Sequence, residues 1–263
     1  MTGGARGEQV RQRVGRRVRR GAYLLPSLFT MGNMILGFYA VIVGYRDHDF
    51  PKAALLIFAA AILDSLDGRM ARLVGTESDF GKEYDSLADV VTFGVAPALL
   101  TYLWGLQDFH RDAWMICVFY MVCCATRLAR FNVQTKVVDA RWFVGLPTPA
   151  AAGTICSLLF FSPSGDLWVW MQVLVATALL VVGALMVSTF RYTSFKKVDL
   201  RKRWSFRALV PIVAVVLVVY FLREAAFLTL AVLYTLSGPV GALVSRVRHS
   251  GGSPTPPTPE PVP

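Results

Sequence analysis

The stretch LDSLDGRMARLVGTESDFGKEYDSLAD, from Leu63 to Asp89, joins two long apolar segments of the chain. It contains the acidic residues Asp64, Asp67, Glu77, Asp79, Glu83, Asp85 and Asp89. The chain around it is basic and apolar, with a formal net charge of +10 and a mean hydropathy of +0.51. So dense an acidic segment between two apolar segments needs a specific explanation.

The apolar segments on either side belong to a series that runs along most of the chain. Hydrophobic residues make up 55% of the 263 residues and charged residues only 17%, against about a quarter in ordinary soluble proteins. Segments of this length and composition predict an all-α integral membrane protein, a bundle of about eight transmembrane helices. The predicted helices are Ser27–Tyr45, Pro51–Val74, Glu83–Leu106, Ala113–Gln134, Pro149–Phe161, Leu167–Phe190, Phe206–Leu222 and Ala225–Val247.

The composition divides the chain into three parts. Residues 1–22 form a basic arm that contains seven arginines, and we expect it to lie near anionic lipid headgroups. Residues 23–247 form the transmembrane domain, with a core at 24–206 and two extra helices at 206–247. Residues 248–263 are rich in proline and cannot build a packed core, so they are predicted to be disordered.

The basic residues predict the orientation of the helices. With eight crossings and a cytoplasmic N-terminus, 23 of the 27 lysines and arginines lie on the cytoplasmic side. The exceptions are Arg46, Lys52, Arg111 and Arg223. We therefore expect both termini and the acidic segment at the cytoplasmic face of the cell membrane. This asymmetry explains the positive charge, and the chain contains no nucleic-acid-binding motif, so no nucleic acid partner is expected.

Four of the acids are spaced so that they share helix faces. Asp64 and Asp67 are three residues apart near the end of one predicted helix, and Asp85 and Asp89 are four apart at the start of the next. Residues three or four apart lie on the same side of a helix. Because the link between the two helices is short, the helices are expected to be antiparallel, with all four carboxylates converging.

Four converging carboxylates near a bilayer are unfavourable because of desolvation and mutual repulsion. A divalent cation offsets both costs, and oxygen ligands without histidine or cysteine suit Mg²⁺ or Mn²⁺. Four carboxylates have room for one or two ions. Gly68 and Ala71 fall on the same face as Asp64 and Asp67, which leaves room for a bulky ligand, and Arg72 just beyond is placed to meet a phosphate.

Simpler interpretations of the acidic segment exist. Acids at helix ends are often solvated loop residues, and we favour this interpretation for Glu77, Asp79 and Glu83. A cation transporter is a second alternative, but acids in transporters usually lie near the bilayer midplane on broken helices. A membrane scaffold without catalytic activity is a third. Spacing alone leaves the metal site and the solvated alternative open for the remaining four acids.

The full spacing, D-x₂-D-G-x₂-A-R-x₈-G-x₃-D-x₃-D, resembles the signature of the CDP-alcohol phosphotransferase family. Its eight fixed positions are Asp64, Asp67, Gly68, Ala71, Arg72, Gly81, Asp85 and Asp89. The resemblance implies a membrane enzyme, generally a homodimer, that moves a phosphoalcohol group from a CDP-linked donor to a hydroxyl and releases CMP. It implies that the four aspartates ligate metal and that Asp89 is the general base. Gly68, Ala71, Arg72 and Gly81 would border the nucleotide and phosphates.

Other motifs resemble the phosphatidylserine synthase branch of that family. They are LPSLFTMGNMILGF (Leu25–Phe38), TRLARFNV (Thr126–Val133), FVGLPTPAAAG (Phe143–Gly153) and LMVSTFRYTSFK (Leu185–Lys196). This resemblance implies CDP-diacylglycerol as donor, L-serine as acceptor and membrane lipids as surroundings. The same chemistry with inositol phosphate, glycerol phosphate or choline as acceptor remains an alternative, as does an ether-lipid donor.

Further polar residues lie at the expected cytoplasmic ends of other helices. Thr30 and Asn33 in the first helix suggest contacts with nucleotide or phosphate, with hydrogen bonds between helices as the alternative. Arg127, Arg130 and Asn132 end the fourth helix. Because arginine binds carboxylates and phosphates, one of them is expected to recognise serine or a donor phosphate. Anchoring at the positive cytoplasmic face is the alternative for the arginines.

Overall fold

The computed structural model describes residues 27–74, 79–134, 142–161, 168–193 and 228–242. Helices dominate these ranges, and they follow the predicted apolar segments closely. The helices are α1 (Ser27–Arg46), α2 (Phe50–Val74), α3 (Asp79–Asp89), α4 (Ala96–Thr101), α5 (Trp114–Gln134), α6 (Thr148–Phe161), α7 (Val169–Val187) and α8 (Leu228–Ala242). The prediction of a helical membrane protein is confirmed.

Four helical runs in the described residues are long and apolar enough to cross a membrane: Ser27–Arg46, Phe80–Leu106, Trp114–Val133 and Val169–Val187. Helix α2 has sufficient length with 25 residues, but its last turns carry Asp64, Asp67 and Arg69. The predicted helix Phe206–Leu222 lies outside the described residues, as do the basic arm and the Pro-rich tail. The number of crossings and the cytoplasmic position of both termini stay predictions.

The second run, Phe80–Leu106, is one continuous helix with two π-helical turns. The first turn, Val90–Val95, begins directly after Asp89, and the N–H of Ala96 donates to the Val91 carbonyl five residues earlier. The second turn is Tyr102–Leu106. A π-helical turn adds one residue to the helical repeat, so it changes the direction in which the following side chains point.

One detail of the architecture differs from the all-α prediction. Strand β1 (Trp142–Val144) pairs antiparallel with β2 (Arg191–Thr193), and Phe143 lies opposite Tyr192. Strands of three residues are too short for an alternating pattern to show in the sequence. The ribbon also shortens the predicted helix Leu167–Phe190, because the backbone becomes extended at Ser188 and α7 ends at Val187.

A glycine makes the connection from β1 to α6 possible. Gly145 has a φ of 82°, and a Cβ atom there would collide with the Met186 carbonyl oxygen at the end of α7. The Gly145 N–H donates to the Phe190 carbonyl at 2.8 Å, and the Leu146 N–H donates to the Leu185 carbonyl at 3.0 Å. The chain therefore crosses closely over the end of α7 before α6 begins.

Small residues bring the helices close together around one core. Helix α2 packs on α6 and α5 packs on α7. Ala53, Ala54 and Ala60 of α2 are completely buried, as are Ala151 and Ala152 of α6. Small side chains permit close packing between membrane helices. This packing fixes α2 and thus the position of the aspartates near its end.

Helix α8 is attached to this core by polar contacts. The Tyr192 hydroxyl of β2 donates to the Thr235 carbonyl at 3.0 Å, and the Thr235 and Thr154 hydroxyls are 2.9 Å apart. Burial, with a smaller effect of the neighbouring Tyr234, raises the pKa of Tyr192 to about 12. The Tyr192 hydroxyl therefore stays protonated and remains a donor.

Candidate active site

Three carboxylates converge where the end of α2 meets the start of α3. Oxygens of Asp64, Asp67 and Asp85 all lie within 4.8 Å of one another. Asp67 is buried, and the other two are half-buried. The structure thus brings acids from both helices together, as expected from the short link between them. Three carboxylates at this distance repel one another strongly unless a cation or protons offset the charge.

The carboxylate group fits a hard divalent cation. The Oδ1 atom of Asp85 is buried and has no hydrogen-bond partner among the described residues. A buried carboxylate oxygen without a donor is costly, and a metal ion is one way to satisfy it. All three side chains offer oxygen, the ligand atom that Mg²⁺ and Mn²⁺ prefer.

Asp89 lies close to this group but is held separately. Its side chain is 7% exposed. The Asp89 carboxylate interacts electrostatically with Asp64, Asp85, Asp67 and the Arg127 guanidinium. It is not part of the group whose oxygens lie within 4.8 Å. Of the four predicted metal ligands, the structure thus brings three into one cluster. The role of Asp89 as a ligand stays a prediction.

Helix α1 supplies hydrogen bonds to two of the acids. The Thr30 hydroxyl donates to Asp67 Oδ2 at 3.0 Å, and the Asn33 amide donates to Asp89 Oδ1 at 3.3 Å. Both side chains are buried. Because Thr30 and Asn33 are three residues apart, they lie on the same face of α1 and reach two different carboxylates. Their predicted contact with nucleotide or phosphate stays a prediction.

The structure describes the surroundings of Gly68 and Gly81 in the motif, but not the side chains of Ala71 and Arg72. A Cβ atom on Gly68 would meet nothing within 4 Å, so space is open beside the buried Asp67. Gly81 is half-buried near the start of α3. The side chains of Ala71 and Arg72 lie outside the described residues, although their backbone belongs to α2. The open space at Gly68 agrees with the expected room for a bulky ligand.

The three polar residues at the end of α5 have different surroundings. Arg127 is 8% exposed, donates to the Thr148 hydroxyl at 3.2 Å and lies 5.3 Å from the centre of the Phe131 ring. Arg130 is half-buried and donates to the Val187 carbonyl at the end of α7 at 3.1 Å. The Asn132 amide donates to the Ser86 hydroxyl at 2.9 Å and to Glu83 at 3.4 Å. Of the three, only Arg127 is a buried charge.

The buried charge of Arg127 indicates a position where an anionic group can bind. Within the described part of the chain, no carboxylate forms a direct ion pair with it, although Asp89 and Asp64 act on it electrostatically. Its direct contacts are a neutral hydroxyl and an aromatic ring. A buried guanidinium is costly without an anionic partner. The arrangement can therefore receive a carboxylate or phosphate oxygen.

The structure also adds residues that the sequence analysis missed. Thr92 in the first π-helical turn donates to the Asn33 backbone carbonyl at 3.2 Å, and Thr148 at the start of α6 receives the Arg127 hydrogen bond. Tyr234 of α8 lies within electrostatic range of Arg127. The sequence does contain a signal for Thr92, because it is a polar residue in an apolar segment, three residues after Asp89. Nothing in the sequence links Tyr234 to Arg127.

Comparisons with known proteins find one family model and several similar proteins. A family model described as CDP-alcohol phosphatidyltransferase matches residues 23–181. A Helicobacter pylori protein named CDP-diacylglycerol–serine O-phosphatidyltransferase is 38% identical over 222 residues, which cover 82% of this chain and 90% of the relative. A Bacillus subtilis protein of the same name is 34% identical over 174 residues, 66% of this chain and 92% of the relative. A Mycobacterium tuberculosis protein of that name is 44% identical over 151 residues, 54% of this chain and 52% of the relative.

Proposed function

This chain belongs to the CDP-alcohol phosphatidyltransferase family, and we propose that it transfers the phosphatidyl group of CDP-diacylglycerol to the hydroxyl of L-serine. The products are phosphatidylserine and CMP. The choice of substrates is supported by the names of the relatives that match most of their own length. The observation that carries the catalytic part is the convergence of Asp64, Asp67 and Asp85 beside the separately held Asp89.

In the proposed reaction, Asp89 is the general base. Its carboxylate takes the proton of the serine hydroxyl, and the serine oxygen forms a bond to the phosphorus that carries diacylglycerol. The bond from that phosphorus to the CMP oxygen breaks, and CMP leaves with the electron pair. A positioned base contributes about 10²–10⁴-fold to such a step. Asp89 is buried and accepts a hydrogen bond from the Asn33 amide.

Asp64, Asp67 and Asp85 would hold one or two Mg²⁺ or Mn²⁺ ions, with Asp89 as a fourth ligand in the complete motif. A bound ion would supply neutralisation of the negative charge on the pyrophosphate and on the leaving CMP. Thr30 holds Asp67 through its hydroxyl and so restricts the orientation of one ligand. The open space at Gly68 would receive the cytidine and phosphates. We propose from the motif that Ala71, Arg72 and Gly81 also contact them.

Arg127 would bind the serine carboxylate. It is the buried cation of the three predicted acceptor residues, and it lies within electrostatic range of the proposed base. Arginine can bind a carboxylate through two parallel hydrogen bonds. In this structure Arg130 and Asn132 connect helices through a backbone carbonyl and a serine hydroxyl. The proposal for the acceptor therefore rests on Arg127.

The membrane setting completes the proposal. The chain is an integral membrane protein, and the distribution of basic residues supports an active site on the cytoplasmic side. We propose that it works as a homodimer, with 23–247 as the catalytic membrane domain and 1–22 and 248–263 as flanking segments. Exposed apolar residues such as Ile35, Phe38 and Ile62 are expected to contact lipid or a second copy.

The direct test is an acceptor assay. Purified protein in lipid vesicles receives CDP-diacylglycerol, Mn²⁺ or Mg²⁺, and in turn serine, inositol phosphate, glycerol phosphate or choline. We expect phosphatidylserine and CMP with serine, and loss of both products after EDTA. CMP release with another acceptor alone would overturn the choice of serine. CMP release that EDTA leaves unchanged would overturn the metal site.

A further inference from the structure

Asn33 is fully buried, and its side-chain amide donates a hydrogen bond to one carboxylate. Its amide nitrogen donates to Asp89 Oδ1, while its own Oδ1 atom is buried and has no partner among the described residues. An ionised carboxylate only accepts hydrogen bonds, so the observed orientation, with the amide nitrogen facing Asp89, suits the ionised form that a general base requires. In this orientation the Asn33 amide donates to Asp89, while its own oxygen has no hydrogen-bond partner among the described residues, which is unfavourable.

The backbone of Asn33 is also fixed in place. Thr92 donates to its carbonyl at 3.2 Å from the π-helical turn that starts after Asp89. A Cβ atom on Gly37 would lie 2.7 Å from the Thr92 hydroxyl oxygen, so this glycine allows α1 to approach the turn closely. Asn33 and Asp89 are therefore tied together twice, once through side chains and once through Thr92.

We propose that Asn33 is a positioning residue that holds the Asp89 carboxylate in the orientation needed to accept the proton of the acceptor hydroxyl. This inference rests on the proposed function, in which Asp89 is the base. One oxygen of Asp89 receives the Asn33 amide, which leaves the lone pairs of the other oxygen for the acceptor proton and for the metal ion that Asp89 would share as fourth ligand. Misplacement of a reacting group by about 1 Å can cost about 10²-fold in rate, so a single hydrogen bond at this place affects catalysis strongly.

Thr30 provides a matched comparison. It lies three residues before Asn33 on the same helix and makes the same kind of hydrogen bond, but its partner is Asp67 in the three-carboxylate cluster. Loss of the Thr30 hydroxyl is expected to weaken metal binding, because groups that orient metal ligands typically affect affinity by about 10–100-fold. Loss of the Asn33 amide is expected to lower kcat instead.

The experiment compares Asn33→Leu, Thr30→Val and Thr92→Val with the wild type in lipid vesicles. Leucine is close to asparagine in size and removes both the donor and the unsatisfied oxygen. We expect Asn33→Leu to lower kcat about 10- to 100-fold, with the KM values for donor and acceptor within about threefold. The rise in Tm on addition of Mn²⁺, which does not depend on turnover, is expected to remain in Asn33→Leu and to shrink in Thr30→Val.

Two results would overturn the inference. A kcat of Asn33→Leu within about twofold of the wild type would remove the positioning role. A kcat that recovers fully at saturating Mn²⁺, with the Mn²⁺-dependent rise in Tm lost, would assign Asn33 to the metal site. If Asn33→Leu does not fold, Thr92→Val decides, because it keeps the amide and loosens its support: a lowered kcat with unchanged KM supports the inference, and wild-type kcat overturns it.

The test of the positioning role of Asn33 can be distinguished from the test of the proposed substrate. The kcat ratio is measured with whichever hydroxyl acceptor the wild-type protein uses. Turnover with another acceptor but not serine would overturn the proposed substrate, while the ratio measured with that acceptor still decides the role of Asn33.

Discussion

The Tyr120 hydroxyl on α5 donates a hydrogen bond of 3.1 Å to the Phe93 carbonyl in the first π-helical turn. In a regular α-helix this carbonyl would accept from the N–H four residues later, but that residue is Pro97, which has no N–H. Both Tyr120 and Phe93 are completely buried. The tyrosine therefore satisfies a carbonyl in the turn that follows Asp89.

Tyr120→Phe is expected to destabilise the protein by about 1–3 kcal/mol, because the Phe93 carbonyl loses its side-chain donor in a buried setting. Thermal unfolding in detergent measures the effect as a lower Tm. Tyr45→Phe, at a tyrosine that is 67% exposed, is the control and is expected to leave Tm unchanged. Equal Tm values for the two variants would show that the Tyr120 hydrogen bond is not important for stability.

Asp89→Asn is expected to reduce kcat by at least about 100-fold, because an amide cannot accept the proton of the acceptor hydroxyl. The variant keeps the size of the side chain, so its yield and Tm should stay close to those of the wild type. CMP release measures turnover. Asp112→Asn, an exposed residue in the loop before α5, should behave as the wild type. Near-normal turnover of Asp89→Asn would exclude Asp89 as the base.

Arg127→Met is expected to raise the KM for serine by at least about tenfold, which corresponds to about 1.4 kcal/mol of lost binding. The KM for CDP-diacylglycerol should change less than about threefold, since the proposed partner of Arg127 is the serine carboxylate. Initial rates at varied substrate concentrations measure both constants.

Arg130→Met is the comparison for Arg127→Met. Its guanidinium binds the Val187 carbonyl at the end of α7, so its loss is expected to lower Tm rather than raise the KM for serine. A rise confined to the KM for CDP-diacylglycerol in Arg127→Met would assign Arg127 to a donor phosphate instead.

Gly145→Ala is expected to lower stability by about 1–2 kcal/mol or more. The φ of 82° is unfavourable for any residue with a Cβ atom, and that atom would collide with the Met186 carbonyl oxygen. Thermal unfolding measures the loss. Gly241→Ala in α8 is the control, since a Cβ there meets nothing within 4 Å, and alanine favours a helix. An unchanged Tm in Gly145→Ala would contradict the described backbone.

The sequence by itself determined the helical membrane class, the approximate helix positions and the candidate acids. Apolar length and helical spacing are local properties, so Asp64 and Asp67 could be assigned to one face and Asp85 and Asp89 to another before any coordinates were known. The eight-position motif added the family, which the matched family model and relatives support.

Only the tertiary structure decided which residues meet across the helices. The bond from Asn33 to Asp89 joins positions 56 residues apart, and the bond from Thr30 to Asp67 joins positions 37 apart. The short β-ribbon and the approach of Tyr234 to Arg127 likewise depend on distant segments. Spacing along a chain fixes neighbours on one helix, but contacts between helices depend on how their side chains pack, and that packing is a property of the whole bundle.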